Sequence, residues 1–244
     1  MLKSEDVWMR LAARWLAESC ATCATWVPCV NQERRPPPTV ELPNAGTLVG
    51  QPLAKNKVAA FLAVPYAAKP TAHLRWRPPT PHPPWHESRS NPRNLARCPQ
   101  PTTGWNDAPT TFRRHRIVDD EDCLHLNVFC PMRDSFDPSV ADDANREDAP
   151  LLPIVFYVHG GAGKLGTCHD EELSGRRLAQ RQRVVYVAPN YRLGALGFLA
   201  HPALAAEDTA AAATAASGGD AAPVAGCGSY AVLDLIAALI WVRQ

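Results

Sequence analysis

The chain has 244 residues, and 46% of them are hydrophobic, which is enough to bury the core of one domain or of two small ones. The formal net charge of +1 provides no basic surface of the kind that binds nucleic acid. No apolar run approaches the roughly 18 residues of a membrane-spanning helix, so no transmembrane segment is predicted.

Residues 1–39 are interpreted as a separate N-terminal segment that ends in a charged, proline-rich linker. Apolar residues at helical spacing predict a short amphipathic helix around Trp15, whereas interspersed charges argue against a signal peptide. A displaced first exon or a wrong start site is the alternative explanation. Cys20 and Cys23 form a C-x-x-C pair followed by Cys29, but no second ligand pair follows, so free or mispaired thiols are favoured over zinc.

The compact part of the chain is expected to begin at Val40. Residues 46–50 and 58–64 predict two short antiparallel strands around a polar turn at 55–57. The following segment, up to about residue 85, is rich in proline, which removes backbone donors and favours extended loops. Trp85 in this segment is interpreted as a packing residue.

Residues 124–129 are rich in β-formers and predict a further strand, followed by an acidic loop over 131–149. The carboxylates of this loop lack the spacing of a calcium-binding loop. We therefore interpret the loop as solvated surface, and no metal or cofactor site is predicted.

The region 151–200 predicts the centre of the fold. Ile154–Val158 is a short apolar run stopped by His159-Gly160-Gly161, as expected for a buried parallel strand that ends in a tight turn. A surface helix is expected over 171–183 and a second strand over 184–189, which together form a right-handed βαβ unit.

Two further segments complete the chain. Residues 203–225 are dominated by alanine and are interpreted as a flexible insertion. Residues 229–243 carry apolar residues at helical spacing and predict a helix.

The turn at His159-Gly160-Gly161-Ala162 carries the main chemical signal. Glycine has no Cβ to screen backbone N–H groups, and such donors at the mouth of a sheet stabilise a developing oxyanion. Other motifs occur in a fixed order around this turn: FLAVPYA (61–67), LRWRPP (74–79), EDCLHLNVFCP (121–131), NYRLGALGFL (190–199) and GSYAVLDLIAALIWVR (228–243). In that order they resemble the type-B carboxylesterase and cholinesterase family, which includes the non-catalytic neuroligins.

The resemblance implies the N-terminal portion of an α/β-hydrolase fold, with a mostly parallel central sheet and antiparallel N-terminal edge strands. It places a partial esterase domain at 40–244. Gly160, Gly161 and Ala162 would form the oxyanion loop, with the N–H groups of Gly161 and Ala162 pointing at the oxyanion. Gly163 departs from the family pattern, since an aromatic residue usually follows the loop, and its loss would loosen the acyl site.

The resemblance also implies several structural pairs. Cys98 and Cys123 match the positions of a family disulfide, which implies an oxidising compartment and a secreted, extracellular or luminal protein. Two ion pairs carry over by position: Arg75 with Glu121, and Arg192 with Asp234.

Cholinesterases place a choline-binding tryptophan ten residues before the second of these cysteines. This chain has Arg113 there, and Trp105 lies too early to replace the tryptophan. Choline ester specificity is therefore not expected.

Ester hydrolysis on this fold also needs a nucleophilic serine on a G-x-S-x-G turn, a histidine base and a carboxylate. No G-x-S-x-G occurs in the 244 residues, and the family places His159 in the oxyanion loop rather than in the triad. We expect the nucleophile, acid and base beyond Gln244, so the chain is interpreted as a truncated part of the domain that is inactive by itself.

Three functions agree with these observations. The first is a serine carboxylic-ester hydrolase that acts on a small-molecule ester without a cofactor. The second is a non-catalytic adhesion or receptor ectodomain of the neuroligin type, with a protein partner. The third is an inactive truncated product.

Overall fold

A computed structural model describes residues 36–43, 45–53, 57–101, 116–132, 151–170, 175–217 and 226–243. Several sequence predictions concern residues outside these ranges: the N-terminal helix, the cysteines at 20, 23 and 29, Trp105, Arg113 and the acidic loop, of which only residues 131 and 132 are described.

The described residues form strands, which are arranged in three sheets, and helices. The strands are β1 (Thr39–Leu42), β2 (Gly46–Val49), β3 (Gln51–Leu53), β4 (Val58–Pro65), β5 (Arg89–Ser90), β6 (Asn94–Arg97), β7 (Arg116–Asp119), β8 (His125–Pro131), β9 (Ile154–Phe156) and β10 (Val185–Pro189). The helices are α1 (Arg176–Gln182), α2 (Gly194–Phe198), α3 (Pro202–Ser217) and α4 (Tyr230–Arg243). A short 3-10 helix spans Ala72–Leu74.

The largest sheet contains five strands in the order β3-β4-β8-β10-β9. Its first pairs are antiparallel, and β10 pairs in parallel with β9, with α1 between them in sequence. This is the predicted βαβ unit beside antiparallel N-terminal strands, so the mixed sheet agrees with the expected α/β-hydrolase portion. Strands β1, β2 and β5 form a second sheet, and β6 and β7 a third.

Both faces of the large sheet are covered, which explains the nearly continuous apolar sequence of β4. Val58, Ala60 and Leu62 lie in one core cluster with Ala179 of α1. The alternate residues Ala59, Phe61 and Val64 lie in the other cluster, which also includes residues of the β1–β2 hairpin and of α4. A strand that is buried on both faces has no polar side to alternate with.

The predicted pairing of the strands at 46–50 and 58–64 was wrong. Strand β2 pairs with β1, whereas the short strand β3 pairs with β4. The chain leaves one sheet and enters the other at Gly50, where a Cβ would stand 2.8 Å from the carbonyl oxygen of Ala60. A repeating apolar pattern predicts a strand but not its neighbour, which explains the error.

The prediction of a flexible insertion at 203–225 was wrong throughout its described part, residues 203–217, because Pro202–Ser217 is a helix. Alanine has the highest intrinsic helix propensity, so the low complexity of the segment favours a helix and not a flexible loop. The helix is also tied to its surroundings. Asp208 accepts hydrogen bonds from the N–H groups of Gly226 and Cys227, both at 2.8 Å, and Glu207 pairs with Arg77 at 2.5 Å.

Two other predictions need adjustment. Ile154–Val158 was expected to be a buried strand, but β9 ends at Phe156, is half-buried and lies at one edge of the sheet among the described residues. Helix α4 packs one face on the core, while Val232, Ile236, Leu239 and Ile240 are exposed on it. Ser229 stands directly before α4, and its carbonyl accepts from the N–H of Leu233 at 3.1 Å.

Candidate functional site

A tight turn follows β9 and returns on itself over residues 160–166. The N–H groups of Lys164 and Leu165 both donate to the carbonyl of Gly161, at 3.0 and 3.3 Å. Gly161 has a φ of 122°, and a Cβ there would collide with the carbonyl oxygen of Leu165. Only glycine fits at position 161.

Ala162 continues the turn with a φ of 53°, in the left-handed region that an alanine rarely adopts. Its side chain is exposed, so packing does not compensate for the strain. Backbone strain of this kind persists where the surrounding structure imposes it, and it is common at functional sites.

The N–H groups of Gly161 and Ala162 are free donors within the described part of the chain. Neither donates to a backbone or side-chain acceptor there, although the carbonyl of Gly161 accepts two hydrogen bonds. Free N–H groups on successive residues are the kind of donor that binds an anionic oxygen when both point toward it. The arrangement therefore supplies donors suited to the oxygen of a tetrahedral intermediate.

His159 has a structural environment. Its ring is buried and stacks on Tyr191, with 4.4 Å between the ring centroids, and its Nδ1 lies 3.0 Å from the carbonyl of Gly160. The Tyr191 hydroxyl donates to the His159 carbonyl at 2.8 Å. Burial lowers the pKa of His159, so the ring is neutral at pH 7. These contacts hold the start of the turn.

The end of the turn is held by a buried polar network that the sequence did not reveal. The Asn190 side-chain oxygen accepts from the Cys168 N–H at 2.8 Å, and the Asn190 amide donates to the Ala96 carbonyl at 2.9 Å. Asn127 of β8 donates to the Cys168 carbonyl at 2.8 Å, and its amide lies 3.0 Å from His169 Nδ1. Asn127 within β8 and Asn190 directly after β10 were the available signal, because buried amides need partners.

The predicted disulfide is confirmed. Cys98 and Cys123 are bonded, with 5.1 Å between their Cα atoms. The bond joins the end of β6 to the segment that enters β8. Two other cysteines are unsuited to nucleophilic chemistry, because burial raises the pKa of Cys130 to about 12 and raises that of Cys168 still further.

Both ion pairs anticipated from the motifs are present. Glu121 accepts from Arg75 Nε and Nη2, each at 2.7 Å, in a partly exposed position. Asp234 of α4 accepts from the Arg192 N–H, Nε and Nη2 at 3.0, 2.8 and 2.7 Å, with both side chains buried. The second pair fixes α4 to the segment that follows β10.

Another aromatic side chain, that of Phe198, lies against Gly163, where the family usually has an aromatic residue. The Phe198 ring at the end of α2 lies against Gly163, where a Cβ would stand 2.8 Å from the ring edge. The Gly194 N–H donates to the Gly163 carbonyl at 2.7 Å and joins α2 to the turn. Phe198 is partly exposed, so it presents an apolar surface beside the free N–H groups.

Neither a metal site nor a membrane-spanning helix is found in the described residues. No group of His, Cys, Asp or Glu side chains suited to a metal ion occurs in the described ranges. None of the helices described is both long and apolar enough to cross a membrane.

The fold and the glycine turn define an α/β-hydrolase of the esterase type, and comparison with known proteins gives the same class. The model of the carboxylesterase family matches residues 36–210, and the chain belongs to this family. A solved PNB esterase superposes with a TM-score of 0.59 at 27% identity, covering 82% of this chain and 33% of the esterase.

Individual relatives include enzymes and a neuroligin. The chain is 33% identical to fumonisin B1 esterase of Sphingopyxis macrogoltabida over 224 residues, which cover 91% of this chain and 34% of the relative. It is 31% identical to neuroligin-3 of Mus musculus over 207 residues, which cover 77% of this chain and 22% of the relative. The chain thus spans about a third or less of the length of these relatives.

Proposed function

We propose that this chain supplies the oxyanion-binding turn of a serine carboxylic-ester hydrolase. The observation that carries the proposal is the pair of consecutive N–H groups at Gly161 and Ala162, which have no acceptor among the described residues. These donors bind the carbonyl oxygen of a small-molecule ester more strongly once it becomes an oxyanion. Differential binding of this kind accelerates the chemical step.

The remaining catalytic groups are proposed to lie outside this chain. The 244 residues contain no G-x-S-x-G, and His159 and His169 are buried in structural contacts. Donors stabilise an oxyanion only after a nucleophile has attacked, so the chain alone is expected to hydrolyse p-nitrophenyl esters at the background rate. Burst kinetics from the isolated chain would show that a nucleophile has been overlooked.

A chimera tests the turn itself. Residues 36–243 replace the matching third of a PNB esterase, which supplies its own serine and histidine. We expect this chimera to hydrolyse p-nitrophenyl esters. Ala162→Pro removes one N–H, and loss of one oxyanion donor lowers kcat by about 100- to 1000-fold with little change in KM.

The structure adds a condition to that test. Proline requires a φ near −65°, whereas Ala162 has 53°, so the substitution also distorts the turn. A change in KM of the same size as the change in kcat would therefore indicate general disruption. Lys164→Ala, which removes an exposed side chain from the same turn, is the matched control and should leave both constants unchanged.

The alternative is a non-catalytic adhesion or receptor ectodomain, favoured by the similarity to neuroligin-3. An inactive truncated product is the third possibility. A well-folded chimera without esterase activity would support one of these two and count against the enzyme. Binding of a protein partner by the 244-residue chain would then favour the ectodomain.

Two further assignments belong to this proposal. We place the esterase-like part at 40–244, with residues 1–39 as a separate segment. We also propose a secreted, extracellular or luminal location, because the Cys98–Cys123 bond requires an oxidising compartment to persist. Recovery of the chain with reduced thiols from its native source would contradict this location.

A further inference from the structure

The Gln100 side chain, which lies outside the turn, forms hydrogen bonds with the backbone of the turn. Its side-chain oxygen accepts from the Gly166 N–H at 2.8 Å, and its side-chain amide donates to the Gly166 carbonyl at 2.9 Å. Both backbone groups of a single residue are thus satisfied by one planar amide. The same amide also donates to the Cys98 carbonyl at 3.0 Å, in the residue that forms the disulfide.

Gly166 is the point at which the turn closes. A Cβ there would collide with the His159 ring and with the Gly160 carbonyl, so the last residue of the turn lies directly against its first residue and the preceding histidine. Tyr191 holds His159 by ring stacking and by a hydrogen bond to its carbonyl. The free N–H groups of Gly161 and Ala162 lie between these two ends, and their direction depends on how firmly both ends are held.

We propose that Gln100 is a positioning residue for the oxyanion turn, holding Gly166 so that the N–H groups of Gly161 and Ala162 keep a fixed direction. The catalytic consequence of this inference rests on the proposed function. The hydrogen bonds between Gln100 and Gly166 can be tested without catalysis. Gln100 lies two residues after Cys98, so the disulfide anchors the segment that holds the turn. Preorganised donors are effective because they need no reorientation during the reaction.

Hydrogen exchange in the 244-residue chain tests whether Gln100 holds the turn in place. Gln100→Ala removes both bonds to Gly166, and peptides covering 159–166 should exchange about 10- to 100-fold faster, while peptides from β8 remain unchanged. Gln182→Ala is the matched control, because it makes the same truncation at an exposed position on α1. Equal exchange of the turn in the two variants would overturn the proposal.

Gln100→Glu provides a reversible test. Above the carboxyl pKa, about 4.3 in model peptides, the carboxylate still accepts from the Gly166 N–H but faces the Gly166 and Cys98 carbonyls without a donor. The protonated acid has a donor and an acceptor like the original amide. Protection of 159–166, relative to wild type at the same pH, should therefore be lost at pH 7.5 and return at pH 4. The absence of such a pH dependence would contradict a specific role for the amide pair.

The chimera gives the catalytic readout. Gln100→Ala should lower kcat about tenfold and leave KM within twofold, since misdirected donors weaken transition-state binding more than substrate binding. An inactive wild-type chimera would refute the proposed function, and the exchange result would still decide the role of Gln100. An active chimera with equal kcat for Gln100→Ala and Gln182→Ala would refute the positioning role.

Discussion

Removing the charge of Asp234 should destabilise this protein more than most single substitutions. Asp234 is fully buried, and its three hydrogen bonds all come from Arg192, whose side chain is only 3% exposed. Burial raises the pKa of Asp234, and the hydrogen bonds and charge of Arg192 oppose that rise. Asp234→Asn leaves the guanidinium buried without a counter-charge.

The expected magnitude follows from that isolated charge. Breaking a buried pair by removing one partner costs about 3–5 kcal/mol. For a domain of this size each kcal/mol lowers Tm by about 2–4 °C, so Asp234→Asn should lower Tm by about 6–20 °C. The stacking of Arg192 over the Tyr230 ring, 5.4 Å away, persists in the variant and keeps the loss near the lower end.

Urea and thermal unfolding followed by circular dichroism measure this loss. The double substitution Arg192→Met with Asp234→Leu removes both charges and should cost less than Asp234→Asn alone. Glu121→Gln is the counterpart at an exposed pair, because the side chains of Arg75 and Glu121 are 39% and 26% exposed. This substitution should lower the free energy of unfolding far less. A loss below about 1 kcal/mol for Asp234→Asn, or a double variant worse than either single one, would refute the reasoning.

Further predictions concern the turn, the disulfide and acid stability. Ala162→Gly should stabilise the chain by about 1 kcal/mol in urea unfolding, because glycine adopts the positive φ without strain; no change or a loss would contradict the observed backbone. Replacing Cys98 and Cys123 by alanine should cost about 3.5 kcal/mol, from the separation of 25 residues, and a loss below about 1 kcal/mol would show that the loop is already restricted in the unfolded state. Burial lowers the pKa of His125 from 6.5 to about 4, although Asp122 opposes the shift. The unfolded state therefore takes up a proton first, and stability that is complete above pH 6.5 should fall by roughly 3 kcal/mol toward pH 4; an equally steep loss in His125→Phe would assign it to other groups.

The elements that could be predicted from sequence are those whose signal is local. The βαβ unit around β9 and β10 follows from apolar runs and a glycine stop, and α4 follows from helical spacing. The family motifs led to the Cys98–Cys123 disulfide, which the structure confirms. The helix at Pro202–Ser217 also follows from local propensity, because alanine is the strongest helix former; low complexity by itself does not distinguish such a helix from a flexible insertion.

The sequence by itself determined the strand and helix segments and the chemical character of the turn, because both depend on residues that are adjacent in the chain. Only the tertiary structure decided that β2 pairs with β1, that Gln100 reaches Gly166 and that Phe198 covers Gly163. These contacts join residues distant in sequence, and many pairings have similar local energies until the core and its buried polar groups are satisfied together. The orientation of the Gly161 and Ala162 N–H groups belongs to this second kind of information, because both ends of the turn contact residues from distant segments, Tyr191 at one end and Gln100 at the other.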